Sequence, residues 1–411
     1  MNHWIKKSLS IFILLIPTGL IVGFSNSWSN KIAISCVGSS AVKPFLEILA
    51  NNYMKTNKEF DITIETGGSG FGIQQIAKGF ANIGDASKDP YKAVKGKENN
   101  GKDGFRQQWE KNKIKTITIG WEGICMVYIP PKDLHLNYET LNKILVVKNS
   151  NINNLMRIFT GINDPSHKID NPTLYDFYNE NSNLSLEQQE LLKKTSIKPY
   201  VRAGGALTSG TAYSFVNESN FSQFKNDDTH LSKEQRAAFD NGSYGINYGI
   251  QQTDEANSRA WDIFAKSDNS GQIIYLSSGF INQNIDLIKA KGYGIMAYGD
   301  NATSYDVNLI DTVNGYNWFR PLNTMINVTG KNEPNAEMRF IKMLLSKEYK
   351  DKLASIGAKS LDSDNEISQM FPNGIDNIWL SDYELASLNP NWSWENDEQY
   401  HHFAPIPMNI R

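Results

Sequence analysis

The sequence predicts an α/β fold with a mostly parallel sheet, divided between two domains. Three observations lead there. From residue 31 onward strand-like runs alternate with helix-like runs, and several handovers pass through short turns of Gly and Ser. At 411 residues the chain is long enough for two domains and for a sizeable core. Two cysteines rule out a disulfide framework, and a hydrophobic share of 40% excludes a multi-span membrane protein.

Residues 1–27 stand apart. MNHWIKK is basic, LSIFILLIPTGLIVGF carries no charge, and Ser25, Asn26 and Ser27 are small and polar. This order predicts an export signal, cleaved after Ser27 or kept as an anchor, with the rest of the chain outside the cytoplasmic membrane. The apolar run is interrupted by Pro17 and Gly19 and falls short of the roughly 20 residues that a comfortable span needs. Cys36 comes well after it. With Ile32 and Ile34 it alternates as in a strand, which predicts a core thiol rather than a lipid anchor. Cys125, within GICMVYIP, reads the same way.

The first strand is KIAISCV, its turn Gly38-Ser39-Ser40, and its helix runs from about Ala41 to Tyr53. Val42, Phe45, Leu46 and Leu49 fall at helical spacing, and Pro44 is tolerable in a first turn. DITIET, GGSG and FGIQQIAKGF repeat the unit, and ANIGDAS closes a third strand. Residues 91–113 read as a polar surface excursion ending in the partial helix FRQQWEKN. The long strand KIKTITIGWEGICMVYIP then carries the chain toward the second domain and stops at Pro130-Pro131. LMRIFTG reads as a helix end closed by Gly161, and LSLEQQELLKK as a capped helix. Residues 217–243 are a polar insertion. A helix near Ser258–Lys266, the segments GQIIYLSSG and GYGIMAYG, the strand WFRPLNTMINV and one long amphipathic helix over NAEMRFIKMLLSKEYKDKLASIGA complete the pattern. Residues 361–411 carry Trp379, Trp392, Trp394 and Tyr400 without periodicity.

The chemistry sits in the turns. Gly38-Ser39-Ser40, Gly68-Ser69-Gly70, Gly84–Ser87 and Thr208–Thr211 each offer backbone N–H groups and a hydroxyl where a helix begins. In open α/β sheets ligands bind at the carboxyl ends of strands, so four such turns suit a small oxyanion. Arg202 would add a rigid donor fork. Taken singly, a serine before a helix is a cap worth about 0.5–2 kcal/mol. With 41 basic and 44 acidic residues, the net charge of -3 gives no bulk pull on anions or nucleic acid, so any anion needs a local site. GGSGFG lacks the ending of a nucleotide loop, and no dinucleotide acid follows it. The six histidines form no metal pattern, and Ser209 is not in a G-x-S-x-G elbow. The sequence therefore predicts no enzyme, no metal and no cofactor.

Taken together and in order, GSSAVKPF, GGSGFGIQQIAKGFANIGDASK, LMRIFTG, TSGTAYSF, GYGIMAYG, WFRPLNTMIN and FIKMLLSKEYKDKLASIGA resemble the phosphate-binding protein family of ABC-type importers. The resemblance implies a two-lobed, type II periplasmic-binding-protein-like fold, each lobe a mixed sheet flanked by helices. It divides the chain into lobe 1 over 31–118 and 301–360, lobe 2 over 119–300, and a C-terminal extension over 361–411. It implies inorganic phosphate held between the lobes and passed to an ABC permease in the membrane by a monomer. Carried over by position, Ser40, the backbone at Ala41, Ser69, Ser87, Arg202, Ser209, Gly210 and Thr211 would bind it. Arg320 would be structural and Lys88 a surface residue. Some members carry Asp where this chain has Ser87, so the acceptor for a phosphate proton would be Asp85, Asp89 or a backbone carbonyl. Arg202 also lies farther from Ser209 than the family arginine does from its Ser-Gly-Thr. The alternatives are another tetrahedral oxyanion (sulfate, molybdate or tungstate), a surface adhesion or scaffold role, and a phosphoester hydrolase.

Overall fold

A computed structural model describes residues 31–96, 104–160, 171–202, 210–217, 250–305, 318–329, 336–361 and 364–396. The leader, Gly161, Ser209 and the insertion beyond Asn217 lie outside the described residues. Among the described residues no helix is long and apolar enough to cross a membrane.

Residues 32–111 build the first part of one lobe. β1 (Ile32–Gly38), α1 (Lys43–Thr56), β2 (Phe60–Thr66), α2 (Ser69–Lys78) and β3 (Ile83–Ala86) form a parallel unit with β1 between β2 and β3. α1 has Pro in its first turn and buries Phe45, Leu46, Leu49 and Tyr53 on one face of the sheet. α2 ends on Gly79 in the left-handed region and buries Ile73 and Ile76 on the other face. α3 (Tyr91–Lys95) and α4 (Arg106–Lys111) follow.

β4 (Ile114–Tyr128) is buried along its whole length and belongs to both lobes. Its first part pairs antiparallel with β11 (Phe319–Asn327), which also pairs with β3, so the sheet becomes mixed. Its last part pairs antiparallel with β8 (Gln272–Ser277), which is parallel to β6 (Lys198–Val201), itself parallel to β7 (Gln251–Gln252). α5 (Tyr138–Ile144), β5 (Val146–Val147), α6 (Ile152–Thr160), α7 (Leu186–Lys194), α8 (Gly210–Asn217), α9 (Asn257–Ser267), α10 (Ser278–Gln283), α11 (Ile285–Ala290), β9 (Gly294–Ile295) and β10 (Ala297–Tyr298) complete the second lobe. α7 starts on the Ser185–Gln188 capping box. The fold is α/β and two-lobed, with mixed sheets flanked by helices.

The chain returns through β11 to α12 (Ala336–Leu344), α13 (Lys347–Ser355) and β12 (Ala358–Ser360), then α14 (Asp364–Met370) and α15 (Asp382–Ala386). Two sequence expectations change here. The single long helix is two, because Ser346 takes an extended backbone and its carbonyl accepts from Tyr349 and Lys350 to start a new helix. That break lets Leu344, Leu345, Tyr349 and Leu353 all face the core. Residues 91–113 are also not a plain surface excursion. Tyr91, Val94 and Trp109 are buried, since the C-terminal segment lies over them: Tyr91 stacks on Trp394, and the Trp109 indole donates to Asp382 at 3.1 Å.

Candidate functional site

The parallel strands β1, β2 and β3 end side by side, so their following turns meet at one edge of the first lobe. Close packing brings them together. A Cβ on Gly38 would overlap the Asp85 carbonyl, and one on Gly72 would overlap the Asp85 and Val37 carbonyls. Ser39, Ser69 and Ser87 are all buried there. The Ser39 hydroxyl donates to Ser87 Oγ at 3.0 Å, Ser69 Oγ accepts the Ser87 N–H at 3.1 Å, and the Ser69 and Ser87 hydroxyls lie 3.4 Å apart. Each hydroxyl has a single O–H, so binding a ligand here would turn these protons from one another toward it.

The second lobe meets this cluster through α8. Gly210, its first residue, packs so closely that a Cβ would overlap both Ser87 Oγ and Ser69 Oγ. One turn on, the Ser214 hydroxyl donates to the Ser87 carbonyl at 3.1 Å, and Thr211, next after Gly210, is buried. The first turn of α8 therefore brings its N–H groups and partial positive charge to the serines. Ser40 is half-buried and reaches across to the Glu255 carbonyl at 3.4 Å, while Ala41 is buried and donates its N–H to Ser39 Oγ at 3.2 Å.

Arg202 is buried but turned elsewhere. Its Nε donates to the Asp254 carbonyl at 2.9 Å, Nη1 to Asn257 Oδ1 at 2.7 Å, and Nη2 to the Glu255 carbonyl. Burial lowers its pKa to about 10. Asp85 is fully buried. Its Oδ1 accepts the Ser39 N–H at 2.5 Å, Oδ2 has no hydrogen-bond partner among the described residues, and burial pushes its pKa well up, against the pull of the Ser39 N–H. Lys88, expected on the surface, is 3% exposed. It follows Ser87 beneath β11, where Asn323 donates to the Lys88 carbonyl at 3.1 Å.

The structure thus brings Ser69, Ser87 and Gly210 into contact, with Thr211 on the same helix turn. It directs Ser40 and Arg202 toward residues 254–257, and Ser209 is not among the described residues. Sequence reading passed over Ser39 and Ser214. Ser39 shares the turn that supplied Ser40, and Ser214 follows Gly210 by one helical turn, so both carried a positional signal.

Two α/β lobes that share long strands and converge buried donors at strand ends define a two-lobed solute-binding protein. The model for the PBP superfamily domain matches residues 25–348, and the chain belongs to that superfamily. It is 31% identical over 403 residues, 93% of this chain and 98% of the relative, to the uncharacterized lipoprotein MG412 of Mycoplasma genitalium. A stretch of 58 residues, 14% of this chain and 19% of the other, is 38% identical to the phosphate-binding protein PstS of Bacillus subtilis. Among solved structures, a Clostridium perfringens substrate-binding protein with phosphate bound superposes with a TM-score of 0.52. The match is at 17% identity and covers 80% of this chain and all of the other, so it speaks for the fold alone.

Proposed function

We propose that the protein is an extracytoplasmic receptor that captures inorganic phosphate between its lobes and delivers it to an ABC importer. One observation carries the reading. Buried hydroxyls of Ser39, Ser69 and Ser87 from one lobe meet the N-terminal turn of α8, Gly210 and Thr211, from the other. Such a junction supplies donors from both sides and excludes water, which is what a small dehydrated oxyanion requires. The N-terminal leader supports export. The role proposed is capture and release without chemistry on the ligand.

Isothermal titration of phosphate-stripped protein, with sulfate as competitor, tests the reading. One-to-one heat with phosphate, resistant to sulfate, is the expected outcome. Displacement by sulfate would make the protein a receptor for tetrahedral oxyanions in general. No heat up to millimolar phosphate would remove the proposal.

A further inference from the structure

Arg202 follows β6, and residues 254–257 turn the chain from β7 into α9, so both belong to the second lobe. The turn is tied to its own lobe at several points. Thr253, just before it, donates its N–H and its hydroxyl to the Val201 carbonyl, both at 2.8 Å. Asp254 Oδ1 accepts the Ala256 N–H at 2.9 Å, and Asn257 Nδ2 donates to Ser277 Oγ at 3.0 Å. The Arg202 guanidinium gathers the turn, since its three nitrogens donate to the Asp254 carbonyl, the Asn257 side chain and the Glu255 carbonyl. A planar fork reaches several fixed acceptors at once, which the single ammonium of a lysine does not.

The same turn meets the first lobe. The Glu255 carbonyl that accepts from Arg202 Nη2 also accepts from the Ser40 hydroxyl, 3.4 Å away on the turn between β1 and α1. A carbonyl oxygen has two lone pairs, so this one atom serves an anchor in its own lobe and a contact from the other. At 3.4 Å the Ser40 contact is long, and it holds only while the carbonyl keeps its place. Arg202 is 1% exposed, and the carboxylates of Asp254 and Glu255 favour its charged form. Turning its fork toward an anion would give up the contacts that hold the turn.

We propose that Arg202 is a positioning residue for lobe closure. It holds the 254–257 turn where Ser40 of the first lobe bonds to it, which raises the share of closed protein, and it does not touch the ligand. This departs from the sequence expectation, which put Arg202 among the ligand donors. Contacts between domains of one chain are commonly loose, and apparent affinity falls with the fraction of protein in the binding-competent form. A single well-held contact therefore changes affinity without meeting the ligand. The part of the inference that concerns affinity rests on the oxyanion reading above, and the part that concerns closure needs only the two lobes.

Lobe spacing and phosphate kinetics, measured on Ser40→Ala, Arg202→Lys and the double variant, test it. Spacing is read by electron–electron resonance between labels on Asn51→Cys and Lys194→Cys, exposed positions on α1 and α7, with Cys36 and Cys125 fully buried from the label. In phosphate-free protein both single variants are expected to move the distance distribution toward longer spacings. Both should weaken phosphate binding roughly three- to tenfold, through faster dissociation. The double variant should be no weaker than the weaker single one, because both changes act through one contact. If Arg202→Lys weakens binding while the spacing stays the same, the guanidinium contacts the ligand and the inference falls. Unchanged spacing in Ser40→Ala also overturns it, and that arm decides even if Arg202→Lys fails to fold. Additive losses in the double variant would mean two separate roles and count against it too. No phosphate binding by the unaltered protein removes the oxyanion reading, while the spacing measurements still decide the closure role of Arg202.

Discussion

At the scale of single residues the site depends on side chains too small to notice. Gly210 is there because nothing larger fits between α8 and the serines. Gly210→Ala is expected to keep the fold and lower phosphate affinity at least about tenfold, a loss of about 1.4 kcal/mol. Titration with circular dichroism as the folding control checks it, and unchanged affinity would move the site away from this junction. Cys36 makes the opposite case, of a reactive group put out of reach. It stands mid-strand in β1 with no exposed surface, and burial pushes its pKa well up. Although the Mycoplasma genitalium relative is called a lipoprotein, labelling of the cell-grown chain with a palmitate analogue is expected to leave it unmodified. Label that disappears in Cys36→Ala would contradict this.

At the scale of elements, the last described segment is a strap across the first lobe. Asp382, at the start of α15, accepts from the Thr116 N–H at 2.8 Å, the Thr116 hydroxyl at 2.7 Å and the Trp109 indole at 3.1 Å. Lys115 donates to the Met370 carbonyl at 2.5 Å, and Arg106 pairs with Glu395 at 2.9 Å. Asp382→Ala leaves three buried donors unpaired, so a loss of about 2–4 kcal/mol is expected in urea unfolding. The pH dependence follows from the same group. Burial raises the Asp382 pKa from 3.8 to about 6, so the folded state holds this proton more tightly than the unfolded state. Its stabilising contribution is full below pH 3.8 and fades as pH rises through about 6. Asp382→Asn is expected to flatten the stability profile over that window, and an unchanged slope would place the cause elsewhere. None of this was legible in the sequence. The strap is held by hydrogen bonds and single aromatic contacts, which leave no periodic trace. The β1, β2 and β3 units were legible, because alternation and Gly-Ser turns are local signals. Arg202 was legible as a donor fork but not in its direction, which is set by carbonyls 52 and 53 residues away.

At the scale of the whole molecule, binding couples to stability through both lobes. Phosphate at about 100 times its Kd is expected to add about 2.7 kcal/mol to the unfolding free energy. A single thermal transition should carry the whole shift. Two transitions of which only one moves would mean that the lobes melt apart. The reason to expect one lies in β4. It gives its first part to β11 and its last part to β8, with no loop between them. A protease or a gene fusion therefore has no harmless place to cut within residues 114–128. Either fragment would carry an unpaired sheet edge into solution, where it would seek another copy to complete it. The two halves are modular in outline, yet one uncut strand makes the integrity of each a condition for the other.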